Sequence, residues 1–326
     1  KQKPTKEEKE KRRHRQDIRS VFRNCGFKKV SSVSDKEFTF KEKTSDIDDI
    51  FIFENIIVLA EYTCSGLSHG KISAHLLRKK ILFDIINNNK KEFIKFLEDK
   101  FESFREARDK KYSHSQCELV IIYCSRNKLE NKHKKHLPYV KFLDYPILQY
   151  FLGISKVIKK SARFELFCFL GLEYDNIGEK VLDISSGSPK CYKGHILPEE
   201  HSSFEEGFKV VSFYIDAESL MNRSYVLRKE GWKSIDGLYQ RMLIKRKIEA
   251  MRHYLDTQKR VFINNIIVTL PSNKTKLLDK SGKVVKSSEI DSKTQPITIQ
   301  IDEGFNTIGL VDGQHRVYAY HEGTDK

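Results

Sequence analysis

Two short stretches of this chain combine residue types and spacings that are suited to chemistry. The first, residues 308 to 320, reads IGLVDGQHRVYAY, and its apolar run stops at the block Asp312-Gly313-Gln314-His315-Arg316. A glycine at a strand-to-helix turn lets the backbone come close to a ligand, and the free N–H groups of a helix start attract anions. His315 and Arg316 add side-chain donors, and arginine binds phosphate through two parallel hydrogen bonds. The block therefore predicts a phosphate-binding corner, the alternative being a structural turn whose His and Arg cap nearby carbonyls.

The same stretch resembles the signature of the DGQHR-domain family, distant relatives of the ParB/sulfiredoxin fold that include DNA-phosphorothioation regulators. Three further features of that family precede it in the expected order: Tyr239-Gln240-Arg241, a basic helix from Lys245 to Arg252, and Asn264-Asn265-Ile266. The resemblance covers residues 209 to 320. It implies a pocket for a nucleotide or nucleic acid, with a nucleoside triphosphate among the expected ligands and residues 239 to 241 near the pocket.

The second stretch, residues 38 to 63, reads FTFKEKTSDIDDIFIFENIIVLAEYT and places two carboxylates on a predicted hairpin. Its pattern predicts strands over 38–41, 47–53 and 56–63, with a tight turn at Glu54-Asn55. Asp48 begins the second strand and Glu61 lies near the end of the third, so a hairpin of this length lets them face each other. Two converging carboxylates suit Mg²⁺ or Mn²⁺, and a metal held there can activate water and stabilise charge on a phosphodiester.

This hairpin is similar to the PD-(D/E)xK nuclease superfamily in the order of its helix, hairpin and following apolar helix. The resemblance implies that Asp48 and Glu61 bind the metal, with Asp46 in the acidic position two residues earlier. Thr63 departs from the pattern because it stands where the family has its catalytic lysine. Either Lys71 or Lys79 on the following helix substitutes for that lysine, or the site binds without cutting. An ordinary hairpin with acidic turn residues is the third interpretation.

The elements that must position these residues also follow from apolar spacing. Ile18, Val21, Phe22 and Cys25 recur at helical intervals before Gly26, which is typical of a helix end. Two amphipathic helices are predicted over 72–85 and 93–104, and ELVIIYC at 118–124 predicts a buried strand.

The chain is long enough for two domains, since 326 residues exceed one typical small core. We predict a basic arm over 1–15, a nuclease-like domain over 16–184, a Ser-, Gly- and Pro-rich linker over 185–207 and a DGQHR domain over 208–326. The fold class expected is mixed α/β, a restriction-endonuclease-like domain followed by a ParB-like one. Residues 1–15 are interpreted as either a solvated helix or a disordered basic arm. Because the chain begins without Met and stops soon after Arg316, we expect it to be part of something longer.

Charge and cysteine usage narrow the class of partner and the compartment. Lys and Arg number 60 against 45 Asp and Glu, a net charge of +15, which favours nucleic acid or an anionic surface unless it reflects a general lysine excess. The six cysteines include no CxxC pair, which argues against a disulfide framework or a zinc site. No apolar run has the length of a membrane span, so we expect a soluble cytoplasmic protein, with a homo-oligomer left open.

Together these observations predict a DNA-binding protein in which a metal-dependent nuclease domain is coupled to a DGQHR sensing domain. Prokaryotic defence or DNA modification is the context that the resemblances imply. Two alternatives remain: a catalytically inactive DNA-binding regulator, favoured by Thr63, and a nucleotide-hydrolysing sensor acting through the DGQHR block.

Overall fold

A computed structural model describes residues 4–31, 33–64, 71–173, 176–182, 189–198, 208–226, 242–285, 290, 293–304 and 307–321. The chain divides into two compact units, Lys1–Ile184 and Ser185–Lys326. Both combine helices with β-sheet, so the predicted mixed α/β class is confirmed at that level. None of the described helices is both long enough and apolar enough to cross a lipid bilayer.

The first unit is built on a mixed five-stranded sheet in the order β1-β4-β5-β6-β7. These strands are β1 (Lys28–Lys29), β4 (Asp49–Phe53), β5 (Ile56–Thr63), β6 (Glu118–Ser125) and β7 (Val140–Leu143). A separate small ribbon pairs β2 (Phe38–Phe40) with β3 (Lys43–Ser45). The helices are α1 (Lys6–Asn24), α2 (Lys71–Asn88), α3 (Lys90–Lys100), α4 (Glu102–Ala107), α5 (Asn131–Lys134), α6 (Tyr145–Ile158) and α7 (Ala162–Leu170).

The centre of this sheet is the β4–β5 hairpin joined to a parallel pair. The turn at Glu54-Asn55 brings Phe53 opposite Ile56, as the sequence predicts. β5 then runs parallel to β6, a connection that requires a crossover, and α2, α3 and α4 provide it. β5 is buried almost throughout, as expected of a strand covered on both faces.

Alternate residues of the hairpin face two different cores. Ile50, Ile52 and Leu59 share one apolar cluster with residues of α2 and α3, including Leu82 and Phe93. The other face carries Phe51, whose ring stacks on Phe22 of α1 at 4.3 Å between centroids. Because side chains of a strand alternate between faces, Asp48 belongs with the α2 face and Asp49 with the α1 face.

Helix α1 begins earlier than predicted and belongs to the first unit. Thr5 and Glu8 form a reciprocal capping box that starts the helix at Lys6. The boundary of the basic arm at residue 15 is therefore wrong. One continuous helix, Lys6–Asn24, runs across it, and His14 within that helix is buried. Of the two interpretations of this segment, the solvated helix is confirmed for its exposed first turns.

The second unit contains two smaller sheets. One has the order β12-β13-β8-β9, with β8 (Lys190–Leu197), β9 (Val210–Phe213), β12 (Thr275–Leu278) and β13 (Gln295–Ile301), all antiparallel. The other has the order β10-β14-β11, with β10 (Ser224–Val226), β11 (Ile267–Thr269) and β14 (Ile308–Asp312). Its helices are α8 (Ala217–Arg223), α9 (Lys245–Gln258) and α10 (Gln314–Ala319).

The prediction of a linker over 185–207 is wrong for part of its length. Lys190–Leu197 is β8, which pairs with both β13 and β9. Local Ser, Gly and Pro content hid this strand because its most extensive partner, β13, lies about 100 residues further along the chain. The start of the linker nevertheless coincides with the boundary between the two units.

Candidate functional site

The hairpin brings the two predicted metal-binding carboxylates to the same position in the first unit. Asp49 pairs with Ala60, so the next pair outward along the hairpin is Asp48 and Glu61. Asp48 lies just before β4 and Glu61 lies within β5, and both are buried, with 8% and 4% of their surface exposed. Paired residues of an antiparallel hairpin point to the same face, so these two carboxylates converge.

Burial and the neighbouring Glu61 both act on the ionisation of Asp48. Burial raises the pKa of Asp48 to about 7, and the charge of Glu61 adds to that rise. The hydrogen bond from the Tyr62 backbone N–H and the charge of Arg15 oppose it without cancelling it. Two buried like charges in contact favour either a proton or a cation between them. The environment of Asp48 is therefore one in which a bound cation would be stabilised.

Both oxygens of Asp48 are held in place by neighbouring donors. Arg15 of α1 donates from Nη2 to Asp48 Oδ1 at 2.6 Å, and the Tyr62 N–H donates to Oδ2 at 2.7 Å. The same guanidinium donates to both oxygens of Asp35, at 2.7 and 2.8 Å. The orientation of Asp48 is thus fixed by one backbone group and one charged side chain.

Helix α2 supplies the cation that faces Glu61. Lys79 Nζ lies 3.0 Å from Glu61 Oε2 and donates to Asp46 at two atoms, Oδ1 at 2.8 Å and the backbone O at 2.9 Å. Burial alone would lower the pKa of Lys79, but Glu61 and Asp46 together hold it above its usual value. Lys79 is therefore a charged ammonium, 4% exposed, in contact with a proposed metal ligand.

His75 lies one helical turn before Lys79 and contacts the other oxygen of Glu61. Its Nε2 is 3.4 Å from Glu61 Oε1, and its Nδ1 is 2.8 Å from the hydroxyl of Tyr123 on β6. Residues four apart share a helix face, so α2 presents His75 and Lys79 to the same carboxylate.

Two further residues were predicted for this site, Thr63 and Lys71, and the structure describes the side chain of Thr63 only. Thr63 ends β5, is buried, and its side chain hydrogen-bonds to Tyr123. Lys71 begins α2, but its side chain lies outside the described part of the structure. Of the two lysines considered as substitutes for the motif lysine, Lys79 is the one whose ammonium is seen at the carboxylates.

The donor set of this site fits a hard divalent cation bound mainly through water and substrate. Within the described residues no group of three or more His, Cys, Asp or Glu side chains converges to hold a metal. Mg²⁺ does not need such a group, since it is commonly bound by one or two carboxylates together with waters and phosphate oxygens. The convergent pair Asp48 and Glu61, with the raised pKa of Asp48, meets that requirement.

The second predicted site lies in the other unit, at the junction of β14 and α10. Asp312 ends the strand, Gly313 adopts φ +93°, and Gln314 begins the helix, as the sequence predicts. A side chain at position 313 would also bring a Cβ to 2.5 Å from Ile266 Cδ1. The positive φ favours glycine here, and a larger residue would also displace the end of the Ile266 side chain.

A cleft of about 300 Å³ opens at this corner. Its walls comprise Met242 and Ile244 from the segment before α9, Lys247 and Met251 of α9 itself, and residues 312 to 316. Arg316 Nη2 donates to Asp312 Oδ2 at 3.2 Å, so the acidic residue orients the arginine at the edge of the cleft. The volume is at the lower end of the range for small-molecule sites.

His315 has a defined tautomer in this cleft. The backbone N–H of Ile244 donates to His315 Nε2 at 2.8 Å, so the neutral ring carries its proton on Nδ1. Burial lowers the pKa of His315, and Lys247 lowers it further, which favours this neutral form. Tyr239, Gln240 and Arg241 lie outside the described residues, and Asn264 to Ile266 immediately precede β11.

Comparison of the chain with protein-family models, with curated proteins and with solved structures finds no match. The two resemblances stated for the sequence therefore rest on their motifs.

Residues that sequence reasoning did not select include Arg15, His75 and Tyr123. The only local signal for His75 is its spacing of four residues from Lys79 on one helix face. Arg15 and Tyr123 reach the site from α1 and β6, and no spacing in the sequence relates them to Asp48 or Glu61.

Proposed function

We propose that the first unit is a metal-dependent nuclease centred on Asp48, Glu61 and Lys79, within a DNA-binding protein of prokaryotic defence or DNA modification. The single observation that carries this proposal is the convergence of two buried carboxylates with a buried lysine at 3.0 Å from one of them. The order of helix, hairpin and helix, similar to the PD-(D/E)xK superfamily, supports it.

The residues of the site have separable roles in this proposal. Asp48 and Glu61 would hold Mg²⁺ or Mn²⁺, which when bound supplies an activated water and stabilises charge on the phosphodiester. Lys79 keeps its proton and provides a positive charge beside Glu61, where negative charge develops during attack on phosphorus. Arg15 and the Tyr62 N–H fix the Asp48 carboxylate, and His75 lies 3.4 Å from the second oxygen of Glu61.

Cleavage of supercoiled plasmid with and without Mg²⁺ or Mn²⁺ tests this proposal. We expect nicking by the wild type to require the metal and to be lost in Asp48→Asn and Glu61→Gln. Asp99→Asn, an exposed carboxylate of α3, is the matched control and should cut like the wild type. An inert wild type that still binds DNA would instead support the alternative of a catalytically inactive regulator.

A second candidate function is suggested by the cleft at residues 312 to 316. Lys247, the Nδ1–H of His315 and the Arg316 guanidinium lie around it, and such donors suit a phosphate-bearing ligand. In the alternative of a nucleotide-hydrolysing sensor, this cleft would be the place where the nucleotide binds.

Calorimetry with ATP, CTP, GTP and a short DNA duplex tests the second candidate. Arg316→Ala should weaken binding by about 1.5–3 kcal/mol, the scale of a lost hydrogen bond to a charged group. Arg316→Lys should recover only part of this, since the two-pronged geometry is lost. If no ligand distinguishes Arg316→Ala from wild type and the variant melts several degrees lower, the corner is a structural turn.

A further inference from the structure

Arg15 joins α1 to the carboxylate pair in a way that a simple structural ion pair would not require. Its guanidinium binds Asp35 through both Nη atoms and also reaches Asp48 Oδ1 at 2.6 Å. It lies 5.6 Å from the centre of the Tyr62 ring. One side chain thus contacts a proposed metal ligand while being anchored by a second carboxylate outside the pair.

Arg15 retains hydrogen-bonding capacity after making these contacts. A guanidinium has five N–H donors, and Arg15 uses three of them on Asp35 and Asp48. Within the described part of the chain, its Nε–H and its second Nη1–H meet no acceptor. Its side chain is 30% exposed, whereas that of Asp48 is 12% exposed. A ligand arriving at the carboxylate pair therefore meets an arginine with donors to spare.

Other cations continue from Arg15 along the same edge of the first unit. Lys11 and Arg12 lie one helical turn before it, on the exposed part of α1. Burial raises the pKa of the Cys64 thiol, Arg126 and Lys11 oppose that rise, and Glu10 and Glu7 add to it, so charges of both signs lie near the residue that follows β5. Glu61 is only three residues before Cys64. Lys11 pairs with Glu7 at 2.8 Å, so the cations beside the carboxylate pair, Arg126 and those of α1, are interspersed with acidic residues of α1.

We propose that Arg15 is a substrate-positioning residue that contacts a DNA phosphate beside the one to be cleaved while it holds Asp48 in orientation. This inference rests on the proposed function of the first unit. Asp35 keeps the guanidinium at the site when no DNA is bound, and the remaining N–H groups donate to the phosphate oxygens when DNA arrives. The fork of arginine, with donors in a fixed plane, suits this double contact better than lysine does.

The test is the salt dependence of duplex DNA binding by the full chain, measured in EDTA so that no cutting occurs. Each lost phosphate contact reduces the slope of log K against log salt by about 0.9. We expect Arg15→Ala to lose about one such contact and Arg15→Lys to retain it. Arg23→Ala removes an exposed arginine at the other end of α1 and should leave the slope unchanged.

A second variant keeps the inference falsifiable if Arg15→Ala folds poorly. Asp35 adopts φ 59°, a conformation that Asn tolerates well, so Asp35→Asn removes the anchoring charge without backbone strain. With less of its charge neutralised, Arg15 should then bind DNA at least as tightly as in the wild type. Weaker binding by Asp35→Asn in a normally melting protein would overturn the inference.

The outcome for Arg15 is distinguishable from the outcome for the nuclease. A wild type that shows the predicted slopes but never cuts with metal refutes the nuclease and retains the phosphate contact. An Arg15→Ala protein with the wild-type slope and a lower melting temperature shows that Arg15 is only a clamp between α1 and the hairpin. A wild type that does not bind DNA overturns both proposals.

Discussion

In the proposed nuclease site, Lys79 would provide the charge that the resembled motif carries at another position. Thr63 stands where the family pattern has lysine, but the ammonium beside Glu61 comes from α2, sixteen residues further along the chain. Both members of the pair are 5% exposed in their side chains, so their charges are poorly screened. In the proposal, α2 thus supplies beside Glu61 the charge that the resembled motif places on the hairpin.

Moving the lysine back to the hairpin tests this interpretation. Lys79→Met should reduce cutting by about a hundredfold or more, because the charge at the reacting phosphate is lost. It should also lower the free energy of unfolding by about 3 kcal/mol, since Glu61 is left buried and unpaired. Adding Thr63→Lys to Lys79→Met should restore part of the cutting rate and part of the lost free energy of unfolding. Cutting rates and urea unfolding curves of the single and double variants measure these effects.

Lys80→Met is the control for that exchange. Lys80 is the next residue of α2, and it pairs with Asp84 at a half-exposed position away from the carboxylates. Its loss should lower the free energy of unfolding only slightly and should leave the cutting rate unchanged. If Lys80→Met and Lys79→Met cut alike, Lys79 has no role in the reaction.

At the scale of elements, α1 is attached to the sheet by buried polar contacts as well as by apolar packing. Asp49 is fully buried and accepts from Arg19, Ser34 and the Tyr62 hydroxyl. His14 of the same helix lies 3.3 Å from the Cys124 carbonyl on β6. These contacts align α1 so that Arg15 reaches the carboxylate pair.

The attachment of α1 should weaken at acidic pH through His14. Burial lowers the pKa of His14 and Arg126 lowers it further, while the Cys124 carbonyl and Asp17 act in the opposite direction. The unfolded chain therefore binds a proton at His14 near pH 6.5, before the folded chain does. The stability that neutral His14 contributes is present above this pH and is lost as pH falls through and below it.

Urea unfolding from pH 8 to 5.5 measures this effect. Because Asp48 has a raised pKa and responds in the opposite direction, the informative quantity is the difference between the wild type and His14→Gln. The free energy of unfolding of the wild type, relative to that of His14→Gln, should decrease as pH falls. A difference independent of pH would show that His14 does not contribute to the pH dependence.

The hairpin turn is a second element whose stability depends on one residue. Asn55 is 1% exposed and donates to the carbonyls of Gln116 and Asn176, at 2.7 and 2.8 Å. It also accepts from the Gly178 N–H at 2.8 Å. It thereby ties the β4–β5 turn to two other segments at the end of the sheet opposite to the carboxylates.

Asn55→Ala should lower the free energy of unfolding by about 3 kcal/mol, roughly 1 kcal/mol for each lost hydrogen bond. Thermal denaturation of Asn55→Ala beside Asn88→Ala, an exposed residue at the end of α2, measures the effect. At temperatures where the variant is folded, its metal dependence should match that of the wild type. A change in that dependence would mean that the turn and the site are coupled.

For the molecule as a whole, the net charge of +15 predicts strongly salt-dependent binding to DNA. Phosphate contacts by lysine and arginine release counterions, so affinity should fall on the order of a hundredfold or more between about 0.05 and 0.2 M salt. Fluorescence anisotropy with duplex and single-stranded oligonucleotides measures this. A flat response, or no binding at low salt, would remove nucleic acid as the partner.

The sequence by itself determined the parts of this protein that depend on local pattern. The Glu54-Asn55 turn, the opposition of Asp48 and Glu61, and the buried β6 follow from alternation and turn chemistry along the chain. The glycine at 313 follows from the change from strand to helix. In each case the relevant partners are within one hairpin or one turn, where spacing fixes geometry.

Only the tertiary structure decided which distant groups complete the site. Nothing in the spacing of Arg15 or Tyr123 distinguishes them from other charged or aromatic residues of their helix and strand, and the sequence offered Lys79 only as one of two lysines, beside Lys71. They become relevant because α1 and α2 pack on opposite faces of one sheet and their side chains meet at the outer end of the hairpin. The strand β8 was likewise decided by tertiary structure. It pairs with β13, which lies about a hundred residues further along the chain.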